Sequence, residues 1–288
     1  MPEPDPMTRQ FEEHRARLRA VAYRMLGSVS EADDAVQDAW LRVDRADTSE
    51  VHNPGGWLTT VVARVCLNQL RARETRREEA LDAVERTPVA DVDPEEEALL
   101  ADSVGVALLI VLDTLAPAER LTFVLHDMFQ VPFDEIGLLL EKSPVAARQL
   151  ASRARRRIKG APAAPDADLQ RRREAVGAYL AATRAGDFDA LLALLHPDVV
   201  LHADPAVVPT PEPVFLGGAR TVAQAALASA TRAAHSALVL VDGRVGIAFG
   251  EAGRLRAVLR FSFDADLITA VDIIGERARL AELELAVP

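Results

Sequence analysis

Lysine is almost missing from this chain. Of 33 basic residues, only Lys142 and Lys159 are lysines. Every other cation is a guanidinium, whose planar fork of donors suits phosphate and guanine alike. Cys66 is the single cysteine, which excludes an internal disulfide. No metal-ligand cluster, phosphate loop or nucleophile triad is visible, so neither metal nor cofactor is expected. Aromatic residues make up 5% of the chain, so the cores should be aliphatic. There is no run of about 18 apolar residues, and with it no expected membrane span. The opening Met1-Pro2-Glu3-Pro4-Asp5-Pro6 is acidic and proline-rich, unlike a secretory signal. A cytoplasmic protein without a membrane partner is the expectation. A positive net charge is also lacking: the total is −11. Residues 1–160 carry 21 basic and 28 acidic side chains, and the remainder carry 12 and 16. Nucleic-acid binding would therefore need a local patch.

Such patches exist. Residues 143–159 hold Arg148, Arg153, Arg155, Arg156, Arg157 and Lys159 with no acid among them. The stretch begins Ser143-Pro144, a capping hydroxyl followed by proline at the first helical position. Arg148, Ser152 and Arg156 recur every fourth residue with Gln149 and Arg153 beside them, while Leu150, Ala154 and Ile158 can face a core. Arg bonds guanine bidentately, Gln bonds adenine, and further Arg residues hold phosphate. The plain alternative is a solvated Arg-rich helix in a bundle. A second patch, residues 64–77, sets Arg64, Arg71, Arg73, Arg76 and Arg77 against Glu74 alone.

The length of 288 residues suits two or three domains of about 100–150 residues. Residues 1–8 read as unstructured. Residues 9–76 read as helices only: 11–26, a second through Val43 with a capping box at Ser30-Glu31-Ala32-Asp33, and a third from near Trp57 after the loop Asn53-Pro54-Gly55-Gly56. Residues 78–102 form an acidic, proline-interrupted linker. Residues 103–159 return to helix and end in a helix-turn-helix whose recognition helix comes last. Beyond Gly160 the pattern changes. Helices near 169–185 and 221–234, a strand at 199–203, an irregular proline-rich stretch at 205–216 and strands near 237–242, 244–249, 255–263 and 267–274 suggest helices packed on a curved antiparallel sheet.

These segments carry a family resemblance. Pro117-Ala118-Glu119-Arg120, Asp134-Glu135-Ile136 and the stretch from Arg148 to Arg155 resemble region 4 of extracytoplasmic-function sigma factors. Glu31-Ala32-Asp33-Asp34-Ala35-Val36-Gln37-Asp38-Ala39-Trp40-Leu41 resembles their region 2 helix that docks on core RNA polymerase. Asn53-Pro54-Gly55-Gly56-Trp57-Leu58 resembles the loop and helix start that open the −10 element. Two motif sets in the right order are more specific than either alone. The resemblance implies a −35 reader of Arg148, Gln149, Ser152, Arg153 and Arg156. It implies a −10 surface of Asn53, Trp57, Arg64, Asn68 and Arg71, with Trp57 alternatively a core residue. It implies a polymerase-binding face of Asp33, Asp34, Gln37 and Asp38.

Residues 181–202, with Gly186-Asp187-Phe188-Asp189 and His196-Pro197-Asp198, and the terminal Ile268-Thr269-Ala270-Val271-Asp272-Ile273-Ile274 resemble SnoaL-like members of the nuclear transport factor 2-like cone fold. His202 and Asp204 alternate at a strand end and are expected to face the cone pocket, as ligand-binding or acid–base groups or as a polar rim. Sigma factors with such extensions commonly carry Trp-Leu-Pro in the linker and Asp-Gly-Gly-Gly-Lys after the strand. Here the first is lacking and Asp204 is followed by Pro205-Ala206-Val207-Val208.

The expected architecture is multi-domain. Two all-α sigma domains (9–77 and 103–160) flank the linker 78–102; a linker 161–168 leads to an α+β SnoaL-like cone domain at 169–288. The expected function is an alternative sigma factor, not an enzyme, whose partners are core RNA polymerase and promoter DNA. The C-terminal domain would regulate it in cis, with a small-molecule ligand in the cone as a further partner and no separate anti-sigma factor. The alternative is a SnoaL-like isomerase, cyclase or ligand sensor fused to a helix-turn-helix regulator.

Overall fold

The computed structural model describes residues 6–49, 51–79, 105–160, 166–208, 212–251 and 253–288. The acidic linker, from residue 80 on, lies outside them, as do residues 161–165 of the second linker. The chain divides into two compact units. One holds the described residues up to 79 and residues 115–155; the other holds residues 105–114 and the chain from Arg156 on.

In the first unit three helices form a bundle: α1 (Pro6–Leu26), α2 (Val29–Val43) and α3 (Pro54–Glu79). The first begins at Pro6, inside the stretch expected to be unstructured. The cap of α2 sits two residues before the expected box: the Ser28 hydroxyl accepts the Glu31 N–H. At α3, Asn53 Oδ1 accepts the Gly56 N–H at 3.1 Å, and Pro54 occupies the first helical position, where its missing N–H costs nothing. Leu18, Met25, Leu26 and Leu58 are fully buried. Each such burial contributes about 1.5–3 kcal/mol relative to exposure. Cys66 lies in the same core, and burial pushes its thiol up to about 12, so it stays protonated.

The helix-turn-helix follows: α5 (Pro117–Phe123), continued by a π-helical turn (Val124–Met128), then α6 (Phe133–Leu140) and α7 (Pro144–Lys159), whose last turn from Arg156 belongs to the second unit. The α6–α7 turn is tight. Glu141 adopts a left-handed conformation and the Lys142 N–H bonds Gly137 O at 2.8 Å. A Cβ on Gly137 would stand 2.8 Å from Lys142 O, so only glycine lets the turn close over α6.

In the second unit a seven-stranded sheet has the order β2-β1-β6-β5-β4-β3-β7. Its strands are β1 (Leu195–Ala203), β2 (Val214–Gly217), β3 (Ser236–Val241), β4 (Arg244–Glu251), β5 (Arg254–Asp264), β6 (Leu267–Ile274) and β7 (Leu285–Ala286). The sheet is mixed rather than purely antiparallel, because β1 pairs β6 in parallel. The meander β3–β6 sets the direction of β6, and the long crossover from β1 permits a parallel fit on its free edge. The stretch expected to be irregular supplies β2, a four-residue edge strand just after Pro213, where one pairing partner suffices.

One sheet face packs on α8 (Asp166–Ala185), α9 (Phe188–Leu194) and α10 (Ala219–Leu227) through Val176, Tyr179, Leu191, Val199, Leu201, Val222 and Val271. The short helices α11 (Ala230–Ala234) and α12 (Arg277–Glu282) complete the unit. The other face carries α4 (Val106–Asp113): Ile110 and Val111 sit with Val239, Val241, Ala248, Val258 and Leu285, and Ile158 packs against the same cluster. The two-residue alternation of strands builds both layers at once.

Candidate functional site

The recognition helix α7 is two-faced. Ala147, Leu150, Ala151 and Ala154 are buried; Arg148, Gln149, Ser152, Arg153 and Arg156 are all exposed. Small residues on the buried side let the helix lie close to its support. The Ser143 hydroxyl accepts the Ala146 N–H at 3.2 Å and fixes the helix start. Arg155 instead turns back to Asp127 at 2.6 Å, and the Arg148 guanidinium lies 5.6 Å from the Phe133 ring centre. Four of the exposed five carry amide or guanidinium donors, so this face can read bases and hold phosphate together.

Arg64, Asn68 and Arg71 are exposed along one face of α3, at spacings of four and three. Trp57 is half-buried. It lines an open pocket of about 550 Å³ with Asp47, His52, Asn53, Thr60 and Arg64, bordered on its other side by Glu135, Leu138 and Leu139 of α6. The structure therefore brings Asn53, Trp57 and Arg64 together around one space; Asn68 and Arg71 lie further along the helix. Asn53 has a second task as cap of α3. Hydrogen bonds from the Ser49 hydroxyl and N–H hold the Asp47 carboxyl below its usual range.

On α2, Asp33, Asp34, Gln37 and Asp38 are exposed. Asp33 is already engaged, accepting two bonds from Arg19 at 2.6 and 3.0 Å. Glu31 pairs with Arg73, whose guanidinium also bonds Leu26 O. Leu41, 47% exposed, extends the row formed by Asp34, Gln37 and Asp38 by one more turn. Sequence reasoning passed over it, although an apolar residue one turn beyond an acidic face was the available signal.

His202 and Asp204 are linked, but not as a pair around a cavity. Val199, Leu201 and Ala203 point into the core, so His202 and Val200 take the opposite face. His202 Nδ1 lies 2.8 Å from Asp272 Oδ1, and its ring lies tilted against Phe215, 4.7 Å between ring centres; Phe215 is 73% exposed. Asp272 also meets Arg260 at 3.3 Å and Arg279 at 3.4 Å. Arg279 in turn pairs with Asp204. The Asp204 carboxylate is buried, and its Oδ2 accepts the N–H groups of Gly275 and Glu276 at 3.1 and 3.2 Å. The sequence reading set both residues at the cone pocket or its polar rim; alternation turns His202 away from the core, and Asp204 ties the chain end of β6 to β1. Arg260, Asp272 and Arg279 could not be found from spacing: strand pairing sets Asp272 beside His202 and Arg260, and Arg279 arrives on α12.

Comparison with known proteins agrees with the helical part. Residues 10–76 match the family Sigma-70 region 2, and residues 106–158 match Sigma-70, region 4. The probable extracytoplasmic-function RNA polymerase sigma factor SigI of Mycobacterium tuberculosis is 33% identical over 291 aligned residues, covering 98% of both chains. This chain belongs to the extracytoplasmic-function sigma factors. The sigma factor SigJ of the same organism is 44% identical over 200 residues, 68% of this chain and 64% of that protein's length. A crystal structure of Mycobacterium tuberculosis SigJ shares 31% identity, covers 95% of this chain and 98% of its own, and has a TM-score of 0.46.

Sigma factors act in transcription initiation and are not an enzyme family. This sigma factor has the two helical regions of its family followed by a helix-plus-sheet domain, in the order expected from sequence. Among its described residues no helix is long and apolar enough to cross a membrane.

Proposed function

We propose that this sigma factor docks on core RNA polymerase through the α2 face of Asp34, Gln37 and Asp38, with Asp33 holding Arg19 beside them. Arg148, Gln149, Ser152, Arg153 and Arg156 read the −35 element in the major groove. Asn53, Trp57 and Arg64 receive and flank the opened −10 element, and Asn68 and Arg71 follow its backbone. The observation that carries this reading is the five-residue polar face of α7, exposed in full above a buried face of three alanines and Leu150. Opening a promoter extrudes a base at a cost of a few kcal/mol, and a cavity walled by an indole and a guanidinium offsets that cost.

The C-terminal domain regulates this activity in cis, in place of a separate anti-sigma protein. An isomerase or cyclase needs an acid–base pair free to meet substrate. His202 and Asp204 are committed to Asp272, Arg279 and backbone N–H groups, which favours regulation over catalysis.

The test is transcription in vitro with purified core polymerase, using the full chain and a chain ending at Gly160. We expect promoter-specific transcripts from the full chain and a changed yield from the shortened one; equal yields would make the C-terminal domain a passenger. In the same assay, Arg148→Ala and Arg153→Ala should each weaken −35 binding by about 1–3 kcal/mol, roughly 5- to 150-fold. Unchanged affinity and promoter output would remove α7 from the groove.

A further inference from the structure

Region 4 matches residues 106–158, yet its two ends lie in the C-terminal unit. We infer that the C-terminal sheet is the receptor of helix α4, and that the cone acts on promoter recognition by gripping region 4 at α4 and at the last turn of α7. The inference rests on the reading that the C-terminal domain regulates in cis.

Helix α4 cannot stand alone. It has eight residues, follows Gly105 with no side-chain cap, and is apolar from Val106 to Leu112. A helix this short is marginal in water, and one that is apolar all round must be covered all round. Leu109, Ile110, Val111 and Leu112 are indeed all buried. The sheet supplies the cover for Ile110 and Val111, with Val106 and Ala107 at its margin. The helix end is pinned as well: Asp113 Oδ2 accepts the Leu255 N–H at 3.1 Å, at the start of β5. Fit is close at Gly250 of β4, where a Cβ would come within 2.8 Å of Ile110 Cγ1.

The second grip is at the far end of the same region. Ile158 packs on the same cluster as Ile110, and its carbonyl accepts the Val287 N–H at 2.8 Å. The chain then turns at Gly160, φ +59°, where a Cβ would collide with the Ala286 Cβ. Strand β7 brings Ala286 there by pairing with β3. Helix α7 carries its polar face and its gripped last turn on one stretch of 16 residues.

The test is a wedge in the full chain. Gly250→Val places methyl groups where Ile110 sits; Ile110→Ala removes the atoms they meet; the double variant restores the fit. Amide hydrogen exchange follows 106–113, with 195–203 and 267–274 as internal controls for the sheet. In vitro transcription follows promoter output. We expect Gly250→Val to speed exchange over 106–113 by about tenfold or more with the controls unchanged. Output should shift about fivefold or more, and the double variant should recover both. Should the wedge disturb the controls, Ile110→Ala alone provides the same comparison. Unchanged exchange over 106–113 in both single variants would overturn the receptor assignment. Faster exchange with unchanged output would overturn the grip as the regulatory route. If shortening at Gly160 changes output while loosened α4 does not, cis regulation stands and only this route falls.

Discussion

Changing Asp34 and Asp38 together to Arg abolishes binding to core RNA polymerase and leaves the fold intact. Both carboxylates are exposed on α2, and neither makes an ion pair among the described residues. The helix is held by its other face, through Ala32, Ala35, Val36, Ala39 and Val43. Surface substitutions of this kind change stability by about ±0.5 kcal/mol. Across a docked interface the same change juxtaposes like charges, at several kcal/mol per reversed group. Asp33 serves as the internal contrast: its ion pair with Arg19 makes it a positioning residue, so Asp33→Ala should weaken binding less than the double reversal does. Co-elution with core enzyme on size exclusion, beside circular dichroism of the free variant, measures both halves. A doubly reversed variant that still co-elutes at unchanged affinity would place polymerase contact elsewhere.

Asp204→Ala destabilises the C-terminal unit by about 2–4 kcal/mol, lowering its Tm by roughly 10 °C. The carboxylate is buried at 3% exposure and serves three donors: two backbone N–H groups after β6 through one oxygen, and Arg279 through the other. Alanine leaves those N–H groups without their acceptor. The value stays below that of a fully buried pair because the Arg279 side chain is 36% exposed. Asp204→Asn keeps one oxygen for the N–H groups and loses only the ion pair, so it should fall between the two. Calorimetry on the full chain reads the difference. An alanine variant as stable as the parent would show that the β6 end is held by other means, and would reopen residue 204 for a role in ligand binding.

Much of the proposed DNA-reading face was legible in the sequence. The spacing of Arg148, Ser152 and Arg156 against Ala147, Leu150 and Ala154 already separates an outer from an inner face, because one helix contains both. The same holds for Asp34, Gln37 and Asp38. Trp57 stayed ambiguous in sequence, since an indole near a helix start suits a core or a pocket wall; its neighbours Asp47 and His52 come from the preceding loop. The β1–β6 parallel pairing, the edge strand β2 and the chain His202–Asp272–Arg279–Asp204 were not legible. The parallel pairing and the polar chain depend on residues about 70 positions apart being brought into register, and β2 pairs with β1 (Ala203 with Val214, Val200 with Gly217) across a proline-rich connection; local pattern has no reach at either.

The basic patches, the capped recognition helix, the acidic α2 face and the change from helix to strand after Gly160 were determined by the sequence alone, because each is a local matter of period and side-chain type. Tertiary structure alone decided that Asp33 is held by Arg19, that His202 faces away from the core, and that α4 lies on a sheet more than 120 residues downstream. The last follows from a physical need that the sequence states but does not resolve. An eight-residue helix with no polar face requires a partner on every side, and only the folded chain shows which apolar surface provides it.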